Sequence, residues 1–155
     1  MSTSEALLGV AVFASGIPAG LQIAVLTVFA PRTATLEEPH SVRTHDLLLH
    51  HSHHNLIGVV PSVLAAACAI AALGVEGVEG LAGVATIVGV VGLVGAAIVT
   101  RVRAIPVNIR IRKRLTLDTE TDYPQFATQF AATQRLRAAS GVLGFFALTL
   151  ALAAT

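Results

Sequence analysis

Residues Leu81–Thr100 read LAGVATIVGVVGLVGAAIVT, and no residue in this segment carries a charge. A helix of about 20 residues rises about 30 Å, which is the thickness of the hydrocarbon core of a bilayer. The segment is apolar around its whole circumference, so none of its faces is suited to water. We therefore interpret Leu81–Thr100 as a transmembrane helix.

Three further apolar segments, at about residues 6–30, 56–73 and 138–154, have the same character. Of the 155 residues, 54% are hydrophobic and 12% are charged, whereas a typical soluble domain has about 25% charged residues. The sequence therefore predicts an all-α fold, a four-helix transmembrane bundle that forms one integral membrane domain over residues 1–155. Its expected partner is the lipid bilayer, and a net charge of +1 gives no reason to expect nucleic acid.

The basic residues indicate how the chain is oriented. All ten Lys and Arg residues lie in the connection between the first two segments or in the connection between the last two. Both connections are on the same side of a four-span chain, and the positive-inside rule places them in the cytoplasm. We expect a multi-pass protein of the cell membrane with both termini outside, a His-rich first cytoplasmic connection and a basic third connection.

Small residues are spaced for close packing of the helices. Gly16 with Gly20, and Gly92 with Ala96, form pairs four residues apart. Such pairs let helix backbones approach closely in lipid. The sequence therefore predicts helix contacts at both pairs, and it leaves the oligomeric state open, a homo-oligomer included.

All six histidines lie between positions 40 and 54, just before the second apolar segment. Imidazole is the commonest nitrogen ligand for transition metals in proteins. If the second helix begins near Arg43, the i,i+4 and i,i+3 spacings place Asp46, His50 and His53 on one stripe. The candidate metal ligands are Asp46, His50, His51, His53 and His54.

These side chains offer two ligand sets. Two imidazoles with a carboxylate resemble a non-haem Fe(II) site, and three imidazoles suit copper or zinc. The expected cofactor is therefore a transition metal, copper or iron, with zinc as a further option. The alternatives are a solvated loop that is rich in histidine and a patch that responds to pH.

Polar residues also mark the end of the third segment and the start of the fourth. Pro106 cannot donate a backbone hydrogen bond, and Asn108 can both donate and accept hydrogen bonds beside it. Arg110 adds a fixed charge, and Arg137 is costly in lipid unless it is paired or reaches water. Asn108, Arg110 and Arg137 are the candidate catalytic residues. The alternative is that the arginines only anchor the chain at the membrane surface.

The layout resembles the anthrone oxygenase-like family of small membrane proteins. The motifs that carry the resemblance are Ala30-Pro31 at the end of the first segment, Pro61 in the second, Pro106-Val107-Asn108 after the third and Arg137 at the fourth. The resemblance implies an oxygenase-type activity on an aromatic polyketide such as an anthrone.

The expected function is therefore that of a membrane-embedded oxidase or oxygenase for a small aromatic or lipophilic, anthrone-like substrate. A metal at the histidines would activate O2, and Asn108 and Arg110 would orient an oxygen of the substrate. One alternative is a non-enzymatic metal-binding membrane protein that carries or senses a cation. Another is a small structural subunit of a membrane complex.

Overall fold

The computed structural model of the chain describes residues 1–36, 40, 43–44, 47, 56–75, 78–110 and 123–155. The four main helices in this part of the chain are α1 (Thr3–Ala24), α2 (Leu56–Leu73), α3 (Gly80–Val99) and α4 (Tyr123–Ala153). Within the described residues there is no strand. The all-α prediction is therefore confirmed for these residues.

Within the described ranges, three helical stretches are long and apolar enough to cross a membrane. They are Thr3–Arg32, Gly80–Arg110 and Thr128–Ala153, and a shorter apolar helix covers Val59–Leu73. Their outward side chains include Phe13, Val91 and Phe146, which are 77%, 65% and 63% exposed. A contiguous apolar exterior of this kind is suited to lipid and not to water. The helices therefore indicate a membrane protein.

Each of the four helices packs against two others. The most extensive contacts join α3 to α4 and α1 to α2, and further contacts join α1 to α4 and α2 to α3. Among the described residues, most of the buried apolar side chains are alanines, and Leu8 and Leu148 are the only large apolar residues that are fully buried. Small side chains let the helix backbones come close, which favours dispersion contacts along their whole length.

The contact between α3 and α4 depends on glycine. A Cβ atom on Gly92 would lie 2.8 Å from Cα of Gly144 and 2.8 Å from the carbonyl oxygen of Ser140. The close approach predicted at Gly92 is therefore confirmed. The prediction for Gly20 was wrong, because a Cβ there would meet nothing within 4 Å. In lipid both faces of a helix are apolar, so the spacing of glycines does not reveal which face meets a neighbour.

Both α1 and α3 extend beyond an unusually wide turn. Val25–Phe29 and Thr100–Ala104 are π-helical, and each is followed by one residue and then by a proline, Pro31 or Pro106. In each case the intervening residue donates its N–H to the carbonyl five residues earlier. A proline has no N–H to donate and its ring crowds the preceding turn, and widening that turn lets the helix continue.

The helix α4 starts well before the predicted apolar segment at 138. It runs without interruption from Tyr123 to Ala153, and its only proline, Pro124, lies in the first turn, where a missing N–H costs nothing. Arg137 consequently lies in the middle of a 31-residue helix. Its side chain is half-buried.

Candidate functional site

The buried faces of three helices end in polar residues. Gln22 is the last buried residue of α1 and is 7% exposed. On α4 the buried Gln134 is followed one turn later by the half-buried Arg137. Beyond the π-helical turn of α3, the half-buried Asn108 follows the buried Ala104 by one turn. The polar residues therefore collect where α1 and α3 end and where the first half of α4 passes them.

Contact with α4 fixes the position of Gln22. A Cβ atom on Gly141 would lie 2.5 Å from Oε1 of Gln22, so the amide fills the space beside this glycine. Arg137 and Gln134 lie four and seven residues before Gly141, which is one and two turns of about 5.4 Å along the same face. Gln22, Arg137 and Gln134 therefore belong to one interior stripe between α1 and α4.

Asn108 lies at the same end of the molecule. Its neighbours Pro106 and Val107 face Gln129 and Thr133 of α4 across a cleft. Thr133 is adjacent to Gln134 in the sequence, so Asn108 lies close to the level of Gln134 along the helices. The carboxamide oxygen of Asn108 is buried.

Four polar atoms at this end are buried and have no hydrogen-bond partner within the described part of the chain. They are Oε1 of Gln22, Oδ1 of Asn108, Oε1 of Gln134 and Nε of Arg137. More than nine in ten buried polar groups in proteins are paired, and an unpaired one costs about 1–3 kcal/mol. An end of the molecule that leaves four such atoms unpaired is suited to binding a polar ligand.

Buried hydroxyl groups elsewhere in the helices are paired. Ser15 donates to the carbonyl oxygen of Val12 at 3.0 Å, and Thr86 donates to that of Ala82 at 2.7 Å. The helices therefore satisfy their buried polar groups along the apolar length, and the unpaired atoms concentrate at the polar end.

The unpaired atoms define the chemistry of a matching ligand. Three of them are amide oxygens, which accept hydrogen bonds, and the fourth is a guanidinium N–H, which donates one. Matching ligand groups are hydroxyl or amino hydrogens for the three acceptors and a carbonyl or phenolate oxygen for the donor. An open, mainly apolar pocket of about 430 Å³, whose lining includes Val25, Val28, Phe29 and also Arg32, lies beyond Gln22 along the same helix.

Arg110 lies apart from this group. It is exposed and lines the cleft between the extension of α3 and α4, together with Arg103. Asn108 is two residues earlier and does not line the cleft, because residues two apart on a helix do not share a face. The structure thus places Asn108 and Arg137 at the interior and Arg110 at an open groove.

The proposed metal ligands Asp46, His50, His51, His53 and His54 lie outside the described residues. Within the described residues no three or more His, Cys, Asp or Glu side chains are grouped so as to hold a metal ion. The metal site therefore remains a prediction from the sequence.

No family model, curated protein or solved structure matches the chain. The resemblance to the anthrone oxygenase-like family therefore rests on the short motifs described above. Two of them correspond to distinct local structure, because Pro31 and Pro106 each follow a π-helical turn.

Sequence reasoning did not select Gln22 or Gln134 as site residues. The signal that could have found them is helical spacing on a buried face. Gln22 follows Ser15 and Pro18 at intervals of seven and four residues, and Gln134 precedes Gly141 by seven. A polar side chain on such a stripe is costly in an apolar helix, so it indicates a functional role.

Proposed function

We propose that the chain is a four-helix transmembrane bundle that binds a small hydroxylated aromatic or otherwise lipophilic molecule at its polar end and oxidises it. The supporting observation is the group of four unpaired buried atoms, three acceptors and one donor. A ligand that donates to the amide oxygens and accepts from Arg137 would remove a penalty of about 1–3 kcal/mol for each atom. The open apolar pocket beyond Gln22 on α1 offers a surface for the lipophilic part of the ligand.

In this proposal the protein residues position the ligand and stabilise charge. Arg137 would donate through Nε to a carbonyl or phenolate oxygen of the substrate, and a fixed donor of this kind stabilises negative charge on that oxygen. Gln22 and Gln134 hold hydroxyl hydrogens of the substrate through their Oε1 atoms. Asn108 contributes the acceptor nearest to the end of α3.

The donor set of the His-rich connection fits the metal that the proposal includes. Imidazoles with one carboxylate suit iron, and imidazoles alone suit copper or zinc. Asp46, His50 and His53 are the residues that would hold the ion, with His51 and His54 beside them. When bound there, the metal would supply activation of O2.

The metal part of the proposal is tested by elemental analysis of protein that has been purified without chelators. We expect about one transition-metal ion per chain, and His50→Ala or His53→Ala should lower the metal affinity by about 10–100-fold or more. His40→Ala is the matched control, since His40 is exposed and outside the proposed ligand set, and it should retain the metal.

Oxygen uptake with a panel of hydroxylated aromatic compounds then separates the candidate functions. Turnover by metallated protein supports the oxidase. A bound metal without turnover of any compound favours the carrier or sensor. If the reconstituted protein binds neither metal nor substrate, the result favours the alternative of a structural subunit.

The proposed topology places both termini outside and the polar end in the cytoplasm, because all ten basic residues lie between positions 32 and 43 or between 101 and 137, around that end. Ser2→Cys should react with a membrane-impermeant thiol reagent in intact cells, after Cys68 has been replaced. Ser52→Cys should react only after the cells are opened. External labelling at position 52 would reverse the assignment.

A further inference from the structure

The cleft between the extension of α3 and α4 has a volume of about 320 Å³. One wall presents Arg103 and Arg110, which are seven residues apart and therefore lie on one helix face, about 10 Å from each other along the axis. The other wall includes Gln129 and Thr133. Thr133 is buried, with 5% of its surface exposed.

No carboxylate of the described residues neutralises these arginines. The described acidic residues are Glu5 and Glu79, which lie near the N-terminal ends of α1 and α3 and thus at the opposite end of the helices. Glu5 forms an ion pair with the N-terminal amino group of Met1. Among the described residues, the cleft is therefore an uncompensated cationic groove.

The same groove has an apolar side. Val102, which is 65% exposed, and Pro106 lie on the α3 wall, and Ala132 lies on the α4 wall. A groove that joins two guanidinium groups to an apolar strip matches a molecule with an anionic head and a hydrocarbon tail. Guanidinium pairs well with phosphate oxygens, because its planar N–H fork donates two parallel hydrogen bonds.

We propose that this cleft binds a phosphate group through Arg103 and Arg110, supplied either by the headgroup of an anionic phospholipid or by free phosphate. Basic pockets between transmembrane helices on the cytoplasmic side are suited to anionic headgroups. The inference uses the proposed membrane location of the helices, and it is independent of the proposed oxidation, since the cleft does not include Asn108 or Arg137.

The test measures binding of phosphatidylglycerol and of phosphatidylcholine with the same acyl chains to the full-length protein in detergent, by native mass spectrometry. We expect the anionic lipid to bind at least about tenfold more tightly. The double variant Arg103→Gln/Arg110→Gln should lose this preference. The double variant Arg101→Gln/Arg135→Gln removes the same charge from exposed positions outside the cleft, and it should keep the preference within about twofold.

Inorganic phosphate distinguishes the two sources. If millimolar phosphate binds with the same dependence on Arg103 and Arg110 and displaces the lipid, the ligand is free phosphate. If phosphate neither binds nor competes, the ligand is the lipid headgroup. Equal binding of the two lipids by the wild-type protein, or an equal loss in both double variants, would overturn the proposal. Neither metal nor substrate is present, so failure of the proposed oxidation would not affect the result.

Discussion

Replacement of Gly92 by alanine is expected to destabilise the protein by about 1–3 kcal/mol or more, because it forces α3 away from α4. The added Cβ would lie 2.8 Å from Cα and N of Gly144 and 2.8 Å from the carbonyl oxygen of Ser140. All three are backbone atoms, which cannot turn away as a side chain can. The free energy of unfolding, measured by titration of mixed micelles with a denaturing detergent, gives the result directly.

Two other glycines of α3 provide graded controls. A Cβ on Gly89 would lie 2.6 Å from Cγ and Cδ2 of the fully buried Leu148 and 3.3 Å from the carbonyl oxygen of Gly144, so Gly89→Ala should also be destabilising. A Cβ on Gly95 would lie 3.7 Å from Oγ of Ser140, an ordinary contact. Gly95→Ala should be neutral or slightly stabilising, because alanine favours the helix. Equal effects at Gly92 and Gly95 would refute the proposed packing.

Replacement of Asn108 by alanine is expected to lower turnover by roughly 100-fold, the scale of losing one preorganised polar contact in a transition state. The free energy of unfolding should not fall, because Oδ1 has no hydrogen-bond partner among the described residues that the change would remove. If Asn108 served only to cap the helix, the change would instead cost about 0.5–2 kcal/mol and leave turnover per folded molecule intact.

Thr86→Val is the matched control for Asn108→Ala. Thr86 lies on the same helix, and its fully buried hydroxyl is bonded to the carbonyl oxygen of Ala82 at 2.7 Å. Valine has nearly the same shape, so the control removes a buried polar group that is already paired. Substrate oxidation or O2 uptake per folded, metallated protein is the measurement. An equal loss of turnover in both variants would mean that Asn108 has no specific role.

The helical class could be predicted from sequence because it depends on composition and length. Leu81–Thr100 carries no charge, and its only polar side chains are those of Thr86 and Thr100. A chain this short has too few polar residues to cover four such segments in water. The helix α2, Leu56–Leu73, matches the predicted segment 56–73. The start of α4 at Tyr123 agrees with the sequence, in which Asp122 is suited to an N-cap and Pro124 to the first helical turn. Only the apolar segment begins later, at about 138, because the residues before it are mostly polar.

The inner face of each helix could not be predicted in the same way. A helix of a water-soluble protein buries one apolar stripe, so its sequence shows which face packs. A helix in lipid is apolar on both faces, so its hydrophobic periodicity is weak and does not show the packed face. Gly20 and Gly92 belong to similar motifs, yet only Gly92 lies against a backbone. Gln22 and Gln134 were missed for the same reason, since their burial depends on which way α1 and α4 are turned.

The two wide turns have a consequence for how the chain can vary. A π-helical turn accommodates one extra residue, so everything beyond it is rotated by about 100° relative to an uninterrupted helix. The direction in which Asn108 faces around the helix axis therefore depends on the π-helical turn Thr100–Ala104 and not only on the packing of the segment before it. The turn Val25–Phe29 does the same for the residues of α1 that follow it, whereas Gln22 and the polar residues of α4 keep their positions. Insertion or deletion of a single residue at either turn can therefore re-aim only the residues beyond that turn, without disturbing the contact of α3 with α4 at Gly92.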